Sequence, residues 1–477
     1  MMRMPDALPL QIMLAMMQAG LMPSAMTPWS ASLPGFVPGW MRSKTPLEKA
    51  TDHMTEWSNT LQSQLSEQWG QIGQMFQPPP ERKPWELRKE AREQARAEKN
   101  SSSARRRSGS PEDSPWREIP AFAGMTDFFA EFLNPEFLNS LGGEAYKRSA
   151  GFMQGVQAYL TSDYKRPEKA YEVLWARGSA QLFDLAPDRA DALAVLCVPS
   201  LINRSTILDL YPEASFVEFL KSQGFRPLLL DWGTPDDEEI DFSAADYINA
   251  YAIPALQALR EGHDGPIALL GYCMGGIFTT AMAQLAPLFV DALVLLATPW
   301  DFASEDTPRV LIDAPTQLML RQWINSMNPV PPLVTQSIFQ MIDPWRVQEK
   351  YSRYPDLTDH EKIHFLAVEE WVNEGVPIAQ KVAEECFVDW PHGNILANHQ
   401  WKIGRRWIEP ASITCPTLAV IPTKDLIVPE GCALPLTHAL KRCDVLRPQA
   451  GHVSMVVGKN ARAQLWEPLA AWLKKKF

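Results

Sequence analysis

From about residue 170 onward, short apolar runs alternate with longer stretches of helical spacing. The runs Val173–Ala176, Gln181–Leu185, Ala192–Val198, Pro227–Asp231, Ile267–Gly271, Ala292–Ala297, Thr417–Ile421 and Val445–Pro448 read as strands. Helical patterns lie between most of them. Strands that alternate with helices pair in parallel and are covered on both faces, so the pattern predicts an α/β fold with a mostly parallel sheet. The interval from Trp300 to about Arg406 breaks the rhythm: it is helical in spacing, rich in Trp and Pro, and holds no convincing strand. It is expected to form a helical cap inserted after the sixth strand. The chain closes on an amphipathic helix carrying Leu465, Trp466, Leu469, Trp472 and Leu473, and the lysines at 474–476 suit the negative end of its dipole.

Ahead of this region the texture differs. Residues 1–80 read as a helical region. Thr45-Pro46-Leu47-Glu48 opens its clearest helix with Thr as N-cap, Pro at the first position and Glu at the third. Leu47, Met54, Trp57, Leu61, Leu65, Trp69, Ile72 and Phe76 form one apolar stripe, suited to packing on its own domain or to docking on a partner helix or an apolar polymer surface. Pro78-Pro79-Pro80 ends it. Residues 81–126 are charged, rich in Ser and Pro and poor in apolar residues, so they are expected to be a disordered linker. Residues 127–477 are assigned to one catalytic domain, which includes the cap at 300–406.

Composition narrows the function. A net charge of −11 argues against nucleic acid as the main partner, and 46% apolar residues suffice for a large core. No run reaches the roughly 18 apolar residues of a membrane span. Leu8 to Met22 is apolar, but Pro9 and two glutamines interrupt it and Arg3 is its only basic flank, so it reads poorly as a signal peptide. The six cysteines form no CxxC and no regular spacing, which fits a reduced, cytoplasmic protein and not a disulfide framework or a zinc site. No histidine stands at metal-ligand spacing, and no metal is expected.

The candidate chemistry centres on Gly271-Tyr272-Cys273-Met274-Gly275-Gly276. A strand, a glycine-bracketed turn and a buried helix make a nucleophile elbow, here with Cys where most hydrolases put Ser. Gly271, Gly275 and Gly276 are the residues small enough to let the backbones approach around the bend. In the α/β-hydrolase fold the acid and the histidine follow the nucleophile, each in a loop after its strand. Asp425 follows the strand at 417–421, and His452 follows the strand at 445–448. Cys273, Asp425 and His452 are therefore the candidate triad. Asp425 could instead be a turn residue and His452 a core or capping one, and His263, His392, His399 and His438 fit the third position less well.

At these residues the sequence resembles the polyhydroxyalkanoate (poly-3-hydroxybutyrate) synthase family of the α/β-hydrolase superfamily, nearest its short two-subunit type. GYCMGG is similar to that family's lipase-like box, and the likeness runs from about Leu196 to the C-terminus. Further matches are Val198-Pro199-Ser200-Leu201-Ile202-Asn203-Arg204, Leu230-Asp231-Trp232-Gly233, Asp246-Tyr247-Ile248, Glu370-Trp371, Asn394, Gly404-Arg405, Ile427-Val428-Pro429 and Gly451-His452. Leu426 stands where the family carries His, and Val453-Ser454-Met455 where it carries a Gly.

The resemblance implies an acyltransferase that polymerises (R)-3-hydroxyacyl-CoA and releases CoA through an acyl-Cys273 intermediate. Coenzyme A thioester is then the substrate and no cofactor is needed. The main-chain N–H groups of Met274 and Ile202 would form the oxyanion hole. The implied partners are a polyester granule surface in the cytoplasm and either a second synthase subunit or a second copy. Two rivals remain: a thioesterase, polyester depolymerase or dienelactone-type hydrolase on the same scaffold, and a granule-associated binding protein without turnover.

Overall fold

The computed structural model describes residues 148, 150–167 and 169–477. The expected helix at 45–76 and the linker at 81–126 lie outside the described residues. One compact unit holds residues 151–477.

Its centre is an eight-stranded sheet in the order β1-β2-β4-β3-β5-β6-β9-β10. The strands are β1 (Glu172–Arg177), β2 (Ala180–Asp184), β3 (Ala194–Val198), β4 (Arg226–Asp231), β5 (Ile267–Tyr272), β6 (Ala292–Leu296), β9 (Thr417–Val420) and β10 (Cys443–Leu446). β1 pairs antiparallel with β2, and β2 antiparallel with β4. All pairings from β4 to β10 are parallel. Each strand expected from the sequence is present. The last starts two residues early, at Cys443, because the ladder to β9 begins at Cys443↔Thr417.

β3, β5, β6 and β9 are buried throughout, as central strands between two helical layers must be. Their side chains alternate between two apolar clusters. Ala194, Leu196, Val198, Ile267 and Leu269 face one, with Phe278 and Met282 of the helix Met274–Leu285. Val195, Cys197, Ala268, Leu270 and Tyr272 face the other, with Phe216 and the terminal-helix residues Leu469 and Leu473. That alternation is the two-residue period of the strand made physical. Burying each Leu or Ile here is worth about 1.5–3 kcal/mol.

Between β6 and β9 the chain leaves the sheet and builds the cap. Its main helices are Ala314–Asn325, Pro332–Ile342, Arg346–Ser352 and Asp359–Asn373. A short helix, Gln380–Glu384, runs on through a wider turn, Glu385–Asp389, into Trp390–Gly393. Leu320, Ile324, Val334, Ile338 and Trp390 join the first apolar cluster, so cap and sheet share a core. The expectation of no strand between 300 and 406 needs a correction. A two-residue ribbon, β7 (Lys402–Ile403) with β8 (Arg406–Trp407), closes the cap, and Val330 bridges Ile378. Such short pairs give no alternating pattern to read. The turn is Gly404-Arg405, with Gly404 at φ +59°, which glycine adopts without strain.

Candidate active site

Cys273 begins where β5 ends. Its backbone lies at φ 55° and ψ −122°, a conformation rare outside glycine, and its N–H donates to Leu296 O of β6 at 2.8 Å. The strained bend of a nucleophile elbow is thus present at the residue the sequence singled out. The glycines explain why the bend can close. A Cβ on Gly271 would stand 2.3 Å from Thr279 Oγ1, one on Gly275 2.0 Å from Val198 O, and one on Gly276 1.8 Å from Thr298 Oγ1. At Gly275 the obstacle is backbone and cannot yield.

Asp425 and His452 come from the loops after β9 and β10 and meet over the C-terminal edge of the sheet. His452 Nδ1 and Asp425 Oδ2 are 2.7 Å apart, and both residues are buried. Asp425 Oδ1 accepts the N–H groups of Ile427 and Val428, each at 2.9 Å, so the carboxylate is held from two sides. Burial acts to lower the pKa of His452, but the charges of Asp425 and Cys273, with the hydrogen bonds the ring donates to both, outweigh it and push the imidazole up to about 10. The three candidates therefore converge, with His452 in the middle.

The structure adds a residue to which the sequence reading gave no role. The Tyr272 ring stacks on that of His452, centroids 5.1 Å apart, and its hydroxyl donates to His452 O at 3.2 Å. Its place beside the elbow cysteine was the only available signal.

Met274 and Ile202 line the same cavity as Cys273, a space of about 50 Å³. Met274 opens the elbow helix, where an N–H has no acceptor within the helix. The N–H of Ile202 donates to Ser200 Oγ at 3.2 Å, so a substrate oxygen would have to take over that bond. Otherwise the lining is apolar: Ile277, Phe302, Phe339, Ile342, Phe387 and Trp390 among others, several from the cap. Leu426 is 55% exposed, outside this space, and Ser454 Oγ accepts the Gly451 N–H at 2.9 Å.

Asn394, in the left-handed conformation at φ 46°, pins the cap to the loop after β6. Its side chain accepts from Phe302 N and donates to Asp301 Oδ1, each at 2.9 Å. Of the other histidines, His263 lies with Arg226 and Asp184 near the opposite end of the strands, and His399 pairs with Glu409. Among the described residues no group of three His, Cys, Asp or Glu side chains could hold a metal ion. No helix among them is long and apolar enough to cross a membrane.

Comparison with known proteins bears on the same region. The family model described as alpha/beta hydrolase fold matches residues 194–459. The poly(3-hydroxyalkanoate) polymerase subunit PhaC of Allochromatium vinosum is 28% identical over 61% of this chain and 83% of its own length. Its counterpart in Haloferax mediterranei is 27% identical over 59% of this chain and 58% of its own length. That of Cupriavidus necator is 38% identical over a shorter stretch, 28% of this chain and 24% of its own. Among solved structures, a Paleococcus ferrophilus monoacylglycerol lipase is similar at TM-score 0.41 and 16% identity, covering 62% of this chain and 99% of that one.

Proposed function

We propose, from the premise that this chain belongs to the alpha/beta hydrolase fold family, that it polymerises (R)-3-hydroxyacyl groups from coenzyme A thioesters into polyhydroxyalkanoate. The observation that carries the reading is a thiol, not a hydroxyl, at the elbow, facing His452–Asp425 beneath an apolar cap. Similarity to the polymerase subunits supports it.

His452 takes the proton of Cys273, and the thiolate attacks the acyl thioester. The positive charge left on the imidazole rests against Asp425, which also fixes the ring through Nδ1. The oxyanion is met by the N–H groups of Met274 and Ile202. CoA leaves with the proton from His452. Exchange of one thioester for another is nearly isoenergetic, so the acyl group on Cys273 stays activated for a second transfer. In that transfer His452 deprotonates the 3-hydroxyl of an acyl chain, which attacks the carbonyl of acyl-Cys273: the ester C–O bond forms, the C–S bond breaks, and Cys273 leaves as the thiolate and takes back the proton from His452.

Water competes with that hydroxyl, and the apolar cap keeps it out. About 50 Å³ holds a few water molecules at most, too little for an acyl group and an incoming chain end together, so the cap must move in each cycle. No cofactor takes part. The enzyme works in the cytoplasm at the polyester granule surface, with a second synthase subunit or a second copy as its partner.

The test is to incubate the purified protein with (R)-3-hydroxybutyryl-CoA and follow free CoA and product size together. CoA with polymer supports the reading. CoA with free acid makes the protein a hydrolase, and no CoA, alone or with a second subunit added, makes it a binding protein.

A further inference from the structure

The reaction uses one of the six cysteines, and the others occupy different places. Cys197 lies inside β3 with its thiol buried. Cys415 and Cys443 precede or begin β9 and β10, at the end of the parallel sheet opposite Cys273. Cys432 belongs to the small apolar cluster against which Cys273 packs, but its sulfur is engaged with Thr307 Oγ1 at 3.1 Å and does not line the cavity. Cys386 does line it. It sits in the wide turn Glu385–Asp389 of the cap, between Glu385 and Phe387, and shares the space of about 50 Å³ with Cys273. All six thiols are free in this structure.

We propose that Cys386 is a resolving thiol for Cys273, so that a hydroperoxide converts the site into a reversible Cys273–Cys386 disulfide that ties the cap down over the elbow. The inference rests on the reading of Cys273 as a thiol activated by His452. The thiolate of Cys273 attacks the terminal oxygen of the hydroperoxide. An S–O bond forms and the O–O bond breaks, and the sulfur is oxidised by two electrons to a sulfenic acid while the peroxide leaves as an alcohol or water. The Cys386 sulfur then attacks the Cys273 sulfur. An S–S bond forms, the S–O bond breaks, and the departing hydroxide leaves as water with the proton of Cys386.

The surroundings suit each half. His452, held by Asp425, is the base that takes the proton of Cys273 in the reading above, and the thiolate so formed is the species that peroxides oxidise. Burial and the nearby Cys273 and Glu385 charges raise the pKa of Cys386, so it remains a thiol and is not oxidised first. A hydroperoxide is small enough to enter where an acyl group and a chain end cannot both fit. Without a second thiol the sulfenic acid would go on to the irreversible sulfinic acid, so the pairing protects a nucleophile the cell cannot otherwise recover.

The full-length protein is treated with hydrogen peroxide, with and without later dithiothreitol, and digested under non-reducing conditions for mass spectrometry. Wild type should yield a Cys273–Cys386 cross-linked peptide, lose acyl transfer and regain it on reduction. Cys386→Ser should lose that peptide, accumulate dimedone-reactive and then sulfinic Cys273, and fail to recover. Cys432→Ser should behave as wild type does. Equal dimedone trapping in wild type and Cys386→Ser, a cross-link to Cys432, or no oxidation of Cys273 would each overturn the proposal. The cross-link is read without turnover, so a protein that forms it but makes no polymer would fail as a synthase and still keep this inference.

Discussion

The elbow and the cap meet at one cavity but are held in opposite ways. Around Cys273 the constraints are backbone: buried strands on both sides, an N–H bonded across to β6, and glycines with no room for a methyl group. Among the described residues no ion pair takes part in the bend itself. The cap turn that carries Cys386 and Phe387 is held by side chains. Arg321 pairs with Glu384 and with Asp389, and the latter bond is 2.7 Å. Three contacts clasp the start of the helix Ala244–Tyr247 and the core segment ahead of it: Glu385 Oε2 accepts Ala244 N at 2.7 Å, Lys381 Nζ donates to Asp241 O at 2.8 Å, and Asn328 Nδ2 donates to Asp241 Oδ1 at 3.1 Å. Contacts of that kind are worth about 1 kcal/mol each and can be broken and remade singly. The candidate nucleophile is thus fixed by backbone, and the cap turn over it by side-chain contacts that can yield one at a time.

The largest effects should fall on the rigid side. Cys273→Ala leaves the elbow geometry possible but removes the acyl acceptor, so transfer should fall by about 10⁴-fold or more with an unchanged melting transition. Steady-state release of CoA measures it, and more than about 1% residual activity would contradict the assignment. Cys273→Ser should be nearly as poor, because an alkoxide is a worse leaving group than a thiolate. The same change, Gly to Ala, made once in each region compares the two directly. Gly275→Ala drives a Cβ to 2.0 Å from Val198 O and should cost about 3 kcal/mol or prevent folding. Gly404→Ala, in the ribbon that closes the cap, meets nothing within 4 Å and carries only its positive φ, a cost of about 1 kcal/mol. Urea midpoints of the two variants decide whether the regions differ as described.

The same contrast explains what could be read from the sequence. The sheet was legible because central strands write themselves as apolar runs: Ile267–Gly271 and Thr417–Ile421 were located to within a residue of the observed strands. The positions of Cys273, Asp425 and His452 were legible because topology puts each after a strand end. The cap was legible as a helical, Trp- and Pro-rich interval without strands, but not in how its helices pack. That Cys386 shares the cavity with Cys273, or that Glu385 reaches Ala244, depends on how helices more than a hundred residues along the chain pack back on the core, and no local period encodes it. Ile202 lines the cavity with Cys273, but the bond of its N–H to Ser200 Oγ was not foreseen, since it depends on how that loop turns.

A middle-sized effect tests the link between the two loops. His452 is raised from its ordinary 6.5 to about 10, chiefly by Asp425 and Cys273 against the opposing effect of burial. Between those values the folded protein holds a proton that the unfolded chain has lost. The resulting stability is complete below about pH 6.5 and is lost as pH rises through 10, with a slope of at most about 1.4 kcal/mol per pH unit. Asp425→Asn should remove most of that slope. Denaturation at a series of pH values from 6 to 10 measures it, and equal slopes in wild type and variant would mean that Asp425 does not hold the proton on His452.

The smallest expected effect lies in the clasp. Glu385 is raised from 4.5 to about 7, first by burial and then by Asp389 and Asp246, with Glu384 adding to it, while the Ala244 N–H pulls the other way. Asp246 faces it from the core helix, Glu384 and Asp389 from its own segment, and Arg321 reaches those two from the helix Ala314–Asn325. A raised carboxyl favours the folded, closed arrangement while it is protonated, and that contribution falls away as pH rises from 4.5 through 7. Ionised Glu385 then stands against three other carboxylates, and the cap should lift more often. In a variant whose other cysteines are replaced, a bulky thiol reagent should label Cys273 more slowly than a small one at pH 5.5. The ratio of the two rates should move toward one by pH 8. Taking the ratio cancels the change in thiolate fraction, which affects both reagents alike. Glu385→Gln, which stays uncharged, should hold the ratio at its low-pH value throughout. A ratio that does not change with pH in the parent, or one that changes equally in Glu385→Gln, would mean that the cap is held by its apolar packing and not by this contact, and access would then have to be sought in Trp390, Phe339 and Phe387.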